Sequence, residues 1–341
     1  MHLSDGQTSR TGPTTLIWLL TTRCNLECRH CYVARFERST DELTPEQARD
    51  VLQQAVEHGL KYVGFSGGEF LLRPDALSLV RQASRAGLSS GLVTNGSTIS
   101  DEVAEVMAET GTSVYLSLDG ATPAVHERVR GYGTFNDVSA AVKALKRAGA
   151  SFRLVFAASR LNADSAAEAA ARAQNMGAEG FCLIPVMPTG RATPDMTLSA
   201  PEYATVLRAV ERRADKLCFP VQLWCTPFAG LIVDSPYVSW DYCRQNDREI
   251  DIMPDGTVHL CDVPDFKVTD IRHRSVAQAY EEQERMPLVR SLRRPRTLPS
   301  SCVDCDFGDF CLGGCYARAY LTTDRTDAPD PLCPRVSGIA T

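Results

Sequence analysis

Cys24-Asn-Leu-Glu-Cys28-Arg-His-Cys31 is the stretch on which the reading of this chain turns. It lies just past an apolar run, Leu16-Ile-Trp-Leu-Leu20, which has the length and composition of a β-strand. The spacing C-x3-C-x2-C brings three thiols onto one small loop. A [4Fe–4S] cube is usually held by four cysteinates, so three would leave one iron open to another ligand. A zinc knuckle, or three reduced thiols in a loop, is the competing reading, and the triplet alone does not separate them.

Outward from the triplet, residues 14–185 alternate short β-rich runs with longer amphipathic ones. Strands are expected at Thr15–Leu20, Tyr62–Phe65, Ser89–Thr94, Ser113–Leu118, Phe152–Ala157 and Gly180–Ile184. Helices are expected at 45–58, opened by a Thr44-Pro45-Glu46-Gln47 capping box, and near Asp75–Ala86, Asp101–Glu109, Phe135–Ala148 and Asp164–Asn175. Gly59, Gly87, Gly111, Gly149 and Gly177 stand just past these helices, where a left-handed residue ends a helix. Six β–α units predict an α/β fold with a parallel sheet, too few for a closed eight-stranded barrel: a partial, open (β/α)6 barrel. The unusual residues fall at strand C-termini, which share one rim in such a barrel. They are the triplet, Ser66-Gly67-Gly68-Glu69, Thr94-Asn95-Gly96, Ser117-Leu-Asp119-Gly120, Ser159 with Asn162, and Pro185-Val-Met-Pro-Thr-Gly190-Arg191. Each alone reads equally as turn chemistry; together on one rim they read as one site.

Bulk properties narrow the class. The chain has 341 residues, 44% hydrophobic and 23% charged, ordinary values for a globular protein with one large domain and a smaller one. A net charge of −6 argues against nucleic-acid binding. No apolar run approaches the length of a membrane span, and residues 1–13 carry no signal-peptide core, which places the expected location in the cytoplasm. Thirteen cysteines in a reducing compartment point to metal rather than to disulfides.

The expected organisation is a polar tail at 1–13, the partial barrel at 14–195, a bridge at 196–240 and a small cysteine-rich domain at 241–341. The bridge holds one long helix, Leu198–Leu217, and then Phe219–Trp224. The last segment opens with a hairpin turning at Asp255-Gly256 and continues with a helix at Ser275–Arg290. Arg290, Arg293, Arg294 and Arg296 near its end read as favourable helix-end charge. Cys243 and Cys261 flank the hairpin, and Cys302, Cys305, Cys311, Cys315 and Cys333 follow. Seven thiols exceed one tetrahedral site and nearly fill two. Cys182, inside a strand, reads as core, and Cys218 as a buried inert thiol.

Taken together, Cys24-x3-Cys28-x2-Cys31, Gly67-Gly68-Glu69 and Ser117-Leu-Asp119-Gly120 resemble the radical S-adenosylmethionine (SAM) enzymes. Cys243-x12-Gly256-x4-Cys261 with Cys302-x2-Cys305-x5-Cys311-x3-Cys315-x17-Cys333 resembles the SPASM extension of that superfamily. Gly313-Gly-Cys315-Tyr-Ala-Arg and Asp330-Pro-Leu-Cys333 are similar to the tails of peptide-maturing and haem-pathway members. The resemblance covers about residues 14–335. It implies that Cys24, Cys28 and Cys31 hold a [4Fe–4S] cluster whose free iron binds SAM. It implies that His30 packs near the adenine, that Gly67, Gly68 and Glu69 receive the methionine ammonium, and that Ser117 and Arg130 meet the SAM carboxylate. Asn95, Asp119 and Arg191 would line the ribose and pocket wall. Phe70 stands where the family usually has proline. Cys302, Cys305, Cys311 and Cys333 would fill one auxiliary cluster, and Cys243, Cys261 and Cys315 would hold another, with Cys225 or Cys218 as a candidate fourth ligand. Asp262 matches the substrate base of sulfatase-maturing members.

The activity so implied is reductive cleavage of SAM to a 5′-deoxyadenosyl radical, hydrogen abstraction, and oxidation or cross-linking aided by auxiliary clusters. An external one-electron reductant of flavodoxin or ferredoxin type is expected. The expected substrate is a peptide or protein side chain. A small molecule, whether a tetrapyrrole side chain or a sugar or nucleoside, is the alternative. Thirteen residues before the first strand are too few for a leader-peptide-binding domain, so a separate leader-binding protein is expected with a peptide substrate. A non-catalytic iron–sulfur carrier or zinc protein is the reading of another class, and it has no use for Gly67-Gly68-Glu69.

Overall fold

Thr15–Leu19 forms the first strand, β1, and its alternation sets up two packing zones. Leu16, Trp18 and Leu20 enter the main core, whereas Ile17 and Leu19 pack with Val33, Met253, Cys31, Tyr32 and Phe36 beneath the cysteine loop. A computed structural model gives this arrangement for residues 12–36, 41–243, 248–293 and 297–338.

The β–α alternation continues through α1 (Pro45–Glu57), β2 (Tyr62–Ser66), α2 (Ala76–Arg85), β3 (Ser89–Thr94), α3 (Asp101–Thr110) and β4 (Ser113–Ser117). Then come α4 (Pro123–Arg130), α5 (Thr134–Ala148), β5 (Phe152–Ala158), α6 (Ala166–Met176), β6 (Phe181–Pro185) and α7 (Ala200–Leu217). The predicted strand positions hold to within a residue or so. The Thr44–Gln47 capping box closes in both directions, and all five predicted glycines take positive φ. α4 escapes the sequence reading because it is short and polar, with only His126 and Val129 buried.

The sheet is larger than six strands. β7 (Val221–Leu223) and β8 (Val238–Trp240) extend it in parallel beyond β6. At the other edge β9 (Glu249–Ile252) pairs in parallel with β1, and β10 (Thr257–His259) and β11 (Lys267–Asp270) follow as antiparallel strands. The order is β11-β10-β9-β1-β2-β3-β4-β5-β6-β7-β8, an open sheet whose ends do not close. The predicted hairpin is therefore not a separate unit: its first strand continues the sheet beside the cysteine loop.

The helix expected over Ser275–Arg290 is two, α8 (Val276–Arg285) and α9 (Pro287–Leu292). Pro287 forces Met286 into extended backbone (ψ 132°) and so breaks the run. α8 docks on α1 through its first N–H, which Val276 donates to Gln54 Oε1 at 3.0 Å. Arg290 lies in the last turn of α9 and Arg293 pairs with Glu284, while Arg294 and Arg296 lie outside the described residues. α10 (Gly308–Cys311), α11 (Tyr316–Thr323) and α12 (Pro334–Ser337) complete the cysteine-rich end. Among the described residues no helix is long and apolar enough to cross a membrane.

Candidate metal centres

The loop carrying Cys24, Cys28 and Cys31 is clasped from neighbouring strand ends. On its approach, Thr21 Oγ1 and the Thr22 N–H donate to Glu42 Oε1 at 2.7 and 3.0 Å, and buried Arg73 donates to the Leu20 carbonyl at 3.0 Å. After β2, the Gly68 and Glu69 N–H groups donate to the Thr21 and Arg23 carbonyls at 2.7 and 2.8 Å. A Cβ on Gly67 would stand 2.6 Å from the Thr21 oxygen, and one on Gly68 2.3 Å from the Arg23 oxygen. The glycines are thus needed for approach of the cysteine loop itself, a closer constraint than the ligand approach expected from sequence.

After β3, Asn95 Nδ2 donates to Asn25 Oδ1 at 3.1 Å and reaches Cys24 Sγ at 3.9 Å. Glu69 is almost fully buried and accepts from Thr94 Oγ1, from the Asn95 N–H at 2.9 Å, and from Leu71 and Thr98. Its carboxylate ties the β2 and β3 ends together, and burial pushes its pKa up against those donors. After β4, the Arg130 guanidinium lies with Nη1 3.9 Å from Cys28 Sγ and is held by Asp119. From β6, Arg191 donates by its backbone to the Cys31 carbonyl and by Nε to the Cys28 carbonyl, both at 3.0 Å. Gly190, at φ +65°, would set a Cβ 2.3 Å from the Cys31 oxygen.

Asp119 lies below this rim, fully buried. It accepts from Arg130, from the Ala157 N–H at 2.7 Å, and sits 3.3 Å from His30 Nε2. The Arg130 charge, then His30, hold its carboxyl well below the usual range against the opposing cost of burial. Asp119 and His30 therefore orient Arg130 and the loop from beneath. Ser117 is buried at the β4 end. Ser159 donates to Asn162 Oδ1, and Asn162 Nδ2 donates to the Asp119 carbonyl at 3.1 Å, in a buried turn.

The second and third cysteine sets are equally distinct. Cys302, Cys305, Cys311 and Cys333 line one cavity with Phe307, Gly308 and Leu231. Cys243, Cys261 and Cys315 pack together around Tyr316 and Leu260. Cys225, in the left-handed region at φ +51°, shares a hydrogen bond with Cys315, which draws the Cys315 thiol down to about 7 and pushes that of Cys225 up. Cys218 is exposed at the α7 C-terminus rather than buried, because its left-handed backbone ends the helix there. Cys182 is core, its thiol pushed up to about 12 by burial.

Asp262 is half-buried. It accepts from Tyr32 Oη at 2.6 Å, its carbonyl accepts from Arg35 Nη2 at 2.8 Å, and its N–H donates to buried Asp251 Oδ2 at 2.8 Å. Burial raises the proton affinity of both carboxylates. Sequence reading missed Tyr32, Arg35 and Asp251. Tyr32 adjoins Cys31 and was there to be noticed, whereas Asp251 gains its meaning only when β9 joins the sheet.

The donor sets fit iron–sulfur clusters better than single ions. Among the described residues, the one group of three ligand atoms mutually within 4.8 Å is Asp251, Cys261 and Asp262. Tetrahedral Zn²⁺ with Zn–S near 2.3 Å needs sulfurs about 3.8 Å apart. A cube seats each cysteine on a separate iron and tolerates wider spacing. Burial also raises the thiols of Cys24, Cys28, Cys311 and Cys333, and a bound cation would offset that cost.

Residues 18–157 match the radical SAM superfamily. The chain is 26% identical over 340 residues to the AdoMet-dependent heme synthase of Methanosarcina barkeri, covering 94% of this chain and 96% of that one. It is 28% identical over 334 residues to mycofactocin maturase MftC of Mycolicibacterium smegmatis, covering 94% and 83%. The solved structure of Streptococcus suis SuiB bound to precursor peptide SuiA shares the fold, with a TM-score of 0.75 at 16% identity over 95% of this chain and 76% of that one.

Proposed function

We propose, from the premise that this chain is a radical SAM enzyme of the SPASM type, that it modifies a peptide or protein side chain. A cube with bound SAM supplies reductive cleavage of SAM to methionine and a 5′-deoxyadenosyl radical that removes hydrogen from unactivated carbon. Cys24, Cys28 and Cys31 would hold that cube. Gly67 and Gly68 would present backbone carbonyls, with Glu69 behind them, to the SAM ammonium. The Arg130 fork, with Ser117 beside it, would take the carboxylate, while Asn95, Asp119, His30 and Arg191 fix the loop and the pocket wall. Cys302, Cys305, Cys311 and Cys333 would hold one auxiliary cluster, and Cys225, Cys243, Cys261 and Cys315 the other. In this reading residues 14–195 carry the radical chemistry, 196–240 bridge, and 241–341 carry the auxiliary sites. Asp262 would take the proton that leaves substrate, its carboxylate aimed by Tyr32.

The observation that carries the reading is that Asp262, beside Cys261, is tied through Tyr32 to the loop bearing Cys31. A proton acceptor thus stands between the radical-generating thiols and one auxiliary set. The peptide assignment draws on MftC, named a mycofactocin maturase, and on the fold shared with SuiB, solved with a precursor peptide. An external flavodoxin- or ferredoxin-type reductant, a separate leader-binding protein and a cytoplasmic setting belong to the same proposal.

Anaerobic reconstitution should load roughly 12 Fe per chain if all three sites hold four-iron clusters. Dithionite and SAM should then yield 5′-deoxyadenosine, and Cys24→Ala should abolish it; zinc without iron would overturn the enzyme reading. A short peptide encoded beside the gene should lose hydrogen or gain a cross-link. The second reading is a tetrapyrrole substrate, favoured by the 96% coverage of the heme synthase against 83% of the maturase. Turnover of a propionate-bearing tetrapyrrole with no peptide present would select it.

A further inference from the structure

We propose that Tyr316 is a positioning residue for the auxiliary cluster of the Cys243/Cys261/Cys315 set, its hydroxyl donating a hydrogen bond to that cluster's sulfur and so raising the cluster's reduction potential. The inference rests on the auxiliary-cluster reading above and concerns a residue given no part in it.

Tyr316 follows Cys315 directly and opens α11. It is 3% exposed. Its ring packs in one apolar group with Leu260, Val289, Leu292 and Met187, against which Cys243 and Cys261 also lie. Phe266 stacks on it, with ring centroids 6.5 Å apart at 26°. The Phe266 carbonyl in turn accepts from the Leu260 N–H at 2.9 Å, one residue before Cys261. The ring is thus held both by the helix that follows Cys315 and by the hairpin that carries Cys261.

Among the described residues, Tyr316 Oη is buried without a hydrogen-bond partner. The ionisable groups that act on it include Cys261, Cys243, Asp251 and Cys315. Asp251 does not take its proton, since Asp251 Oδ2 accepts from the Asp262 N–H and Oδ1 is itself without a partner. Packing does not explain the hydroxyl. Phenylalanine would fill the same apolar space, and a buried hydroxyl with nothing to bond carries a cost that the ring alone does not. The hydroxyl has its use in a group that this set would hold. A phenol is a donor at neutral pH, and cluster sulfurs accept. Reduction adds negative charge to those sulfurs and strengthens the bond, so the donor favours the reduced form. The hydroxyl thereby favours electron uptake at the set that stands beside Asp262.

The test is an EPR-monitored redox titration of reconstituted protein in a Cys24/Cys28/Cys31→Ala background, where only auxiliary iron contributes. Cys302→Ala identifies the signal of the other set by altering it. Tyr316→Phe should shift the Cys243/Cys261/Cys315 signal to lower potential and leave the other in place. Pulsed EPR of the reduced protein in H2O and in D2O should show an exchangeable-proton coupling that Tyr316→Phe removes. A purely structural role predicts neither change. Potential and coupling both unchanged in iron-replete Tyr316→Phe would overturn the role of Tyr316 while leaving the auxiliary clusters standing; no auxiliary iron in the parent would overturn both. If Tyr316→Phe takes up less iron, 3-fluorotyrosine in place of Tyr316 decides, being a stronger donor of nearly the same shape. A higher potential then supports the hydrogen bond, and an unchanged or lower one overturns it.

Discussion

At the scale of single residues, the sharpest consequence concerns Asp262. Asparagine in its place still accepts from Tyr32 but takes no proton. Asp262→Asn should keep 5′-deoxyadenosine formation and cut product formation by roughly 10²–10⁴-fold; equal loss of both would remove the base role. His126 gives a prediction in pH. It is fully buried, its Nδ1 accepts from the Asp119 N–H at 3.1 Å, and burial with the Arg130 charge depresses its pKa from 6.5 to about 4. The native state prefers the neutral ring, so its contribution is complete above pH 6.5 and is lost as pH falls toward 4. A depression of this size is worth about 3 kcal/mol. His259 is depressed likewise. His126→Asn, which keeps an acceptor for Asp119, should make the fall in Tm over that interval shallower, and an unchanged slope would remove the His126 contribution. The cysteine ligands were legible because thiols at metal spacing have few other uses. Asp119 and Glu69 were legible only as site residues, because a sequence does not say whether a carboxylate faces a ligand or its own chain.

Among elements, the loop after β2 governs the site. Its glycines let two N–H groups reach the Thr21 and Arg23 carbonyls, which sets where Cys24 begins. Gly68→Ala brings a methyl against the Arg23 backbone, and overpacking of this kind costs about 1–3 kcal/mol. Urea unfolding should show that loss, and iron retained by the triplet should fall with it; unchanged stability and loading would show that the loop yields freely. The repeating β–α pattern exposed the rim because each strand end carried its own polar signature. β7, β8 and β11 were less legible, being three or four residues long and given their strand character by neighbours. The split between α8 and α9 was readable in Pro287 and overridden by the longer amphipathic pattern.

Over the whole molecule, the three cysteine sets should be separable. Cys302→Ala should lose about four iron atoms if its set holds one cube, and should keep 5′-deoxyadenosine formation. Cys24→Ala should lose a similar amount and abolish it. If Cys302→Ala also abolishes cleavage, the sites are not independent. The sheet explains how such different territories share one frame, since β9 pairs with the strand that leads to Cys24, and β10, hairpinned onto β9, leads to Cys261 and Asp262.

That pairing also sets an order of events during synthesis. Thr15 and Glu249 are register partners, and the contact between their neighbours Thr14 and Arg248 spans 234 residues. Closing a flexible loop of that length costs about 5 kcal/mol before any contact repays it. At translation rates of about 5–20 residues per second, β1 waits on the order of 10–50 s for β9 to emerge. Throughout that interval one edge of β1 lacks its partner strand, and Tyr32 has no Asp262 to bind. A chain stopped before Glu249 should therefore aggregate through that edge, and the cysteine loop can take its final form only once about three quarters of the chain, through Asp262, has been made.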